Sequence, residues 1–89
     1  MNSHTTKGFW KLHDTLPEQV QRQAKTAYRR FEEDPFHASL QFKQVHDTKP
    51  IYSARISRDY RTVGVKNEDE IVWFWIGSHS DYDKLLSRY

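Results

Sequence analysis

From Ile51 to Ile76 the chain reads as three consecutive strands separated by only short polar connectors. Tyr52, Ala54 and Ile56 point one way, and Ile51, Ser53, Arg55 and Ser57 the other, which is the two-residue period of a pleated strand. Tyr60–Lys66 forms a second run. Ile71-Val72-Trp73-Phe74-Trp75-Ile76 is apolar on both faces, as a central strand should be, and its period puts Trp73 and Trp75 on one face. Asn67-Glu68-Asp69-Glu70 is a polar hairpin link between them. A sheet built this way needs a cover for its apolar face.

The cover is legible upstream. Val20, Ala24, Ala27, Tyr28 and Phe31 recur at helical spacing, after a start signal at Thr15-Leu16-Pro17-Glu18 with Pro at the first helical position. The helix stops by Asp34, because the residue before Pro35 is pushed out of helical geometry. Gly8-Phe9-Trp10-Lys11-Leu12 reads as a first strand, and Leu40–His46 as another with imperfect alternation. Gly77 ends the last strand. Ser80-Asp81-Tyr82-Asp83 then resembles a capping box, opening a short helix with apolar positions Tyr82, Leu85, Leu86 and Tyr89. The expected fold is α+β, a small antiparallel-rich sheet packed against an N-terminal amphipathic helix, with a short C-terminal helix. Residues 1–7 are expected to be a flexible tail and 8–89 a single domain. One sheet face, or part of it, is left open, with Arg55 on it.

Thirteen aromatic residues (five Phe, five Tyr, three Trp) let a chain of 89 residues fill a core although only 36% of it is apolar. With no cysteine, disulfides and thiolate zinc sites are excluded. No apolar leader or membrane span is read, so a cytoplasmic protein without membrane contact is expected. The net charge of +2 is unevenly spread: +1 over residues 1–36 (six basic, five acidic), +4 over 37–66 (six and two) and −3 over 67–89 (two and five). The basic middle third suits a polyanion, or is a solvated strand face.

Three segments resemble the RelE/ParE toxin superfamily. Tyr52-Ser-Ala-Arg55-Ile-Ser-Arg58-Asp-Tyr60-Arg61-Thr-Val-Gly-Val65 is similar to its paired strands around a basic hairpin. Trp73-Phe-Trp-Ile-Gly77-Ser-His79-Ser-Asp-Tyr82-Asp-Lys-Leu85 is similar to its last strand followed by Gly-x-His and a Tyr. Leu40-Gln-Phe42-Lys43-Gln-Val45 resembles the segment that precedes them. The resemblance implies a toxin of a type II toxin–antitoxin system, partnered by a cognate antitoxin. It implies either an mRNA endonuclease, acting on the ribosome, or a non-cleaving inhibitor of DNA gyrase. A domain that only binds an antitoxin is a third reading.

Metal-free RNA cleavage requires a base for the ribose 2′-OH, an acid for the leaving 5′-oxygen and cations for the phosphorane-like transition state. No cofactor is implied, and the scattered His4, His13 and His37 fit no metal-ligand spacing. Arg61 matches the family's arginine and is assigned to the scissile phosphate, which a guanidinium grips in bidentate fashion; the alternative is a surface pair with Asp59 or Glu70. His79 matches the family's histidine, and imidazole titrates near neutral pH; otherwise it satisfies backbone groups at the helix entrance. Tyr82 either contacts the phosphate or a base, or packs with its helix stripe. Lys43, Lys49, Arg55 and Arg58 make a cradle for RNA. Some relatives carry two lysines where this chain has Ser53 and Arg55, so a general base is sought elsewhere. His46, oriented by Asp47, is the candidate, or the two form a solvated turn. The three tryptophans are read as core in preference to base-stacking platforms.

Overall fold

The computed structural model describes residues 1–89, in the order β1 (Asn2–Thr5), α1 (Lys7–His13), α2 (Glu18–Glu33), a 3-10 turn (Ala38–Leu40), β2 (Lys43–Gln44), β3 (Ile51–Ser57), β4 (Tyr60–Asn67), β5 (Glu70–Ser78) and α3 (His79–Leu86). The three strands expected from the alternation form an antiparallel meander, and the sheet order is β1-β5-β4-β3-β2. α2 lies over β3, its buried side Val20, Ala24, Ala27 and Phe31. Tyr28, at the margin of that stripe, is 40% exposed. Pro17 stands one residue before the helix, and the chain leaves it at Asp34, as Pro35 requires. No helix is long and apolar enough to cross a membrane.

Four expectations are corrected. Asn2–Thr5 is no tail: it runs parallel to β5, from Asn2 opposite Glu70 to Thr5 opposite Trp73. It occupies an edge whose backbone groups would otherwise lack partners, and Ser3 Oγ accepts from Trp73 Nε1 at 2.9 Å. Gly8–Leu12 is helical: Thr6 caps α1 by accepting from the Phe9 N–H at 3.1 Å. Phe9 is thereby turned into the core, while Trp10 stays 48% exposed and donates from Nε1 to Thr5 Oγ1. The strand expected over Leu40–His46 shrinks to Lys43–Gln44, because Leu40 closes the 3-10 turn and Gln41 adopts a left-handed φ of 46°. Finally, β5 runs through Gly77 to Ser78. Ser78, not Ser80, caps the last helix, accepting from the Asp81 N–H at 3.2 Å.

Trp73 and Trp75 lie on opposite faces. Val63 pairs with Trp75 and Gly64 with Trp73, so Phe74 is an extra residue in β5. The bulge turns the strand's pattern over. Ile71, Trp73 and Ile76 join Phe9, Ala24, Ala27, Phe31, Leu40 and Ala54 beneath α1 and α2. Phe74 and Trp75 join Ile51, Val63 and Tyr82 on the other side, with Leu85 and Leu86 of α3. The second sheet face is therefore covered over part of its area and open over the rest.

Gly64 faces the first of these cores at a close approach to β5. A Cβ there would lie 2.9 Å from Trp73 Cε3 and 2.9 Å from the Val72 carbonyl oxygen, a backbone atom that cannot swing aside. Gly64→Ala is expected to cost about 1–3 kcal/mol through overpacking, with roughly 4–8 °C of Tm lost per kcal/mol at this chain length. Thermal unfolding followed by circular dichroism checks it; an unchanged Tm would mean that the strand pair yields.

Candidate functional site

Residues directly opposite each other in an antiparallel pair share a face, so the register alone assembles the site. Lys43, Ser53, Val63 and Trp75 form one row across β2–β5, and Arg55, Arg61 and Gly77 form the next, on the α3 side. Two guanidinium-bearing residues thus stand opposite one another, an arrangement that is unfavourable in the absence of an anion. Neither makes an ion pair, and neither do Arg58, Lys43 or Lys49. Arg61 pairs with neither Asp59 nor Glu70. Glycine closes the row because the Trp75 indole occupies the space above it: a Cβ on Gly77 would lie 2.7 Å from Trp75 Cζ2.

Arg61 is half-buried and held. Its Nη1 donates to the Ser57 carbonyl at 2.7 Å and the Tyr60 carbonyl at 3.0 Å, across the turn between β3 and β4. Nε and Nη2 make no hydrogen bond within the protein, which leaves a bidentate edge for an oxyanion. Burial first, and then the Arg55 charge, lower its pKa, while Tyr82, Asp59 and Asp83 act in the opposite sense. Arginine starts so high that the group stays charged at any physiological pH.

α3 brings the other side chains. The His79 N–H donates to the Asp59 carbonyl at 2.7 Å, which seats the start of the helix on the same turn that holds Arg61. Its ring is half-exposed, with Nδ1 3.3 Å from Asp83 Oδ2 one helical turn on. Nε2 makes no hydrogen bond within the protein. Tyr82, by contrast, is 7% exposed, and its hydroxyl donates to Ser53 Oγ at 3.2 Å. Its ring packs beside Trp75 and His79. Packing against the sheet is what its geometry shows, with the phenol held beneath the basic row.

His46 is elsewhere. Its Nδ1 accepts from the Lys49 N–H at 2.9 Å and the Thr48 N–H at 3.1 Å, which folds the β2–β3 loop. That leaves Nε2 as the donor toward the Tyr89 carbonyl at 3.3 Å. Lys49 Nζ lies 5.7 Å above the Tyr89 ring. Both residues stand at the C-terminal end of α3, about 12 Å along its axis from His79. The structure thus gathers Arg55, Arg58, Arg61, His79 and Tyr82 around one turn, with Lys43 in the adjoining row, and sets His46 and Lys49 apart. Sequence reasoning missed Asp83 and the role of Ser53. The His79–Asp83 spacing of four would have shown the first, had the helix been started at Ser78.

A cavity of about 610 Å³ lies on the opposite face between α1 and α2. Phe9, Trp10, Tyr28, Phe31, Ile56 and Trp73 make it a largely apolar groove, with His4, His13, Glu18, Arg22 and Lys25 also on its lining.

A model of the ParE-like toxin domain family matches residues 18–84. Among solved structures, the RelB–RelE antitoxin-toxin complex from Methanococcus jannaschii contains a chain similar to this one at TM-score 0.73 and 19% identity, over 91% of this chain and 96% of that one. YafQ from E. coli is similar at TM-score 0.72 and 10% identity, over 91% and 96%. A YoeB/ParE toxin from Agrobacterium tumefaciens gives 0.65 and 15%, over 89% and 99%. At such identities the likeness is one of fold. Among curated proteins, none matches in sequence.

Two measurements test the site's construction. Ser53→Ala strands the buried Tyr82 hydroxyl and is expected to cost about 1–3 kcal/mol, against about 0.5–1.5 kcal/mol for Tyr82→Phe. The double variant should fall short of their sum by at least about 0.5 kcal/mol in urea unfolding; strict additivity would mean that the two hydroxyls do not interact. Arg55→Gln relieves the opposed charges and should stabilise the free protein by about 0.5 kcal/mol or less. The gain should shrink with added salt, and a loss of stability at low salt would contradict the like-charge reading.

Proposed function

Because this chain belongs to the ParE-like toxin domain family, within the RelE/ParE superfamily, we propose that it is the toxin of a toxin–antitoxin pair and cleaves mRNA without a metal ion. The observation that carries this reading is the Arg55–Arg61 pair, opposed across β3 and β4, free of carboxylate partners and adjoining the turn on which His79 is seated. Two cations, Arg61 held by backbone carbonyls and Arg55 opposite it, beside a half-exposed imidazole suit an in-line attack on a phosphodiester.

The roles follow from the geometry. Arg61 presents its Nε–Nη2 edge to the non-bridging oxygens, and Arg55 adds the second charge as the phosphorus becomes five-coordinate. Asp83 holds Nδ1 of His79, so that Nε2 gives its proton to the departing 5′-oxygen. The nucleophile is the ribose 2′-oxygen, which leaves a 2′,3′-cyclic phosphate and restricts the reaction to RNA. With His46 a helix length away, no second imidazole stands by the 2′-hydroxyl. We assign that proton to water or to a group of the ribosome, which also holds the mRNA that so small a surface cannot hold alone. Tyr82 acts through Ser53 and Trp75 as a support for the basic row. The apolar groove between α1 and α2, with Trp10 and Tyr28 exposed at its rim, supports a partner segment such as an antitoxin's.

The ParE-like family match and the distance of His46 favour one other reading, a non-cleaving toxin of the gyrase-inhibiting kind. It needs the basic surface and has no use for His79. Induced expression of wild type, His79→Ala and Arg61→Ala, with mapping of cellular mRNA 5′ ends, separates the two. New ends inside coding sequence for wild type, lost in both folded variants, are the expected result. Growth arrest without new ends, unchanged by His79→Ala, would exclude the nuclease.

A further inference from the structure

The RNA-cleaving reading uses one side of Arg55. The other side of the same residue opens onto a feature that reading leaves unused. β2 pairs with β3 only at Tyr52 and Ser53, so from Ala54 onward no strand covers the outer edge of β3. Between that edge and α2 lies a depression of about 280 Å³. At about 30 Å³ per water in the liquid it has room for roughly nine. Its walls carry three arginines, Arg22 and Arg30 from α2 and Arg55 from β3, and no carboxylate lines it. The rest of the polar wall is neutral: Gln19, Gln23, Thr26 and Ser39.

The spacing along α2 explains why these side chains meet. Arg22, Thr26 and Arg30 recur every four residues and share one face, next to the buried stripe of Val20, Ala24, Ala27 and Phe31. Arg30 makes no ion pair; its Nη1 touches only Ser39 Oγ, at 3.4 Å, and Ser39 is itself fixed by His37 Nδ1 at 2.7 Å. Arg22 is bonded to Glu18 at 3.1 Å, in a pair exposed on both sides that an incoming oxyanion can displace. Gln23 offers an unused amide. Three arginines on one wall, two of them without a carboxylate partner, suit a phosphodiester.

We propose that this depression is a second phosphate-binding subsite, for the backbone of the same RNA strand that Arg61 and Arg55 hold at the scissile bond. The proposal rests on the RNA-cleaving reading. Arg55 links the two subsites: it stands opposite Arg61 on one side and walls the depression on the other. The strand leaves the turn between β3 and β4, crosses the open edge of β3 and lays a flanking phosphate between Arg55 and Arg30. The subsite reads charge and no base, so it lengthens the footprint without adding sequence preference.

The test uses the whole protein and non-cleavable 2′-O-methyl RNA oligomers of about three and about ten nucleotides, sized to span one subsite or both, with affinity followed by fluorescence anisotropy across a salt series. For single strands each phosphate contact contributes about 0.7 to the slope of log K against log salt. Arg30→Gln should lower the slope for the longer oligomer by about that amount and leave the shorter one unchanged. Arg30→Lys should restore most of the slope, and Arg61→Gln should weaken both oligomers. If Arg30→Gln binds the longer oligomer as wild type does while Arg61→Gln is weakened, the second subsite is overturned and the RNA-cleaving reading stands. If Arg61→Gln changes neither oligomer, both are overturned. Loss of ribosome binding in Arg30→Gln with unchanged oligomer binding would move the phosphate to ribosomal RNA and overturn the same-strand assignment.

Discussion

One inserted residue governs how this small sheet is used. Phe74 interrupts the pairing of β5 with β4, so Trp73 faces the two N-terminal helices and Trp75 faces α3. Without the bulge the two indoles would share a face, and the α3 side would receive Phe74 from this strand but no indole. With it, each face receives its own core: nine buried residues under α1 and α2, and three on the α3 side with partly buried neighbours. The smaller core fixes Tyr82, which seats α3, which in turn puts His79 on the turn that holds Arg61. The Trp75 ring over Gly77 belongs to the same chain of consequences, since it fills the end of the arginine row with a flat apolar surface.

What the sequence made legible is what periodicity can encode. β3, β4, β5 and α2 carry enough residues for a period to show, and their bounds lie close to the expected ones. β1 and α1 do not. Asn2–Thr5 is polar and largely exposed, and only pairing with the far edge of β5 makes it a strand. In Gly8–Leu12 the apolar residues read as extended, yet the hydrogen bond that the Phe9 N–H donates to Thr6 starts a helix of seven residues there. The end of the chain shows a different ambiguity. Ser78-His-Ser-Asp81 and Ser80-Asp-Tyr-Asp83 are the same capping pattern two residues apart, and the first is used. That choice makes His79 the first residue of the helix and brings Asp83 within reach of its ring.

The candidate site was legible in part for the same reason. Arg55 and Arg61 could each be picked out, but that they stand opposite one another is a property of register, which depends on the length of a turn and on an irregularity between Arg55 and Ser57. His46 looked suitable on its chemistry alone. Its place is set by two backbone donors of its own loop and by the last residue of the chain, contacts that no local pattern announces.

The open edge of β3 joins stability to function. An uncovered strand edge invites pairing with another chain, and proteins blunt such edges with charge and with bulges. Here both devices fall at the same place: the register slips after Arg55, and Arg55 itself is a cation at the edge. A guanidinium in that position repels a second copy of the same edge and attracts a polyanion. It also stands opposite Arg61, an unfavourable like-charge pairing that a bound anion would relieve. The same charge would thus oppose self-association of the edge and attract an anion, and a carboxylate partner for either arginine would weaken both effects at once.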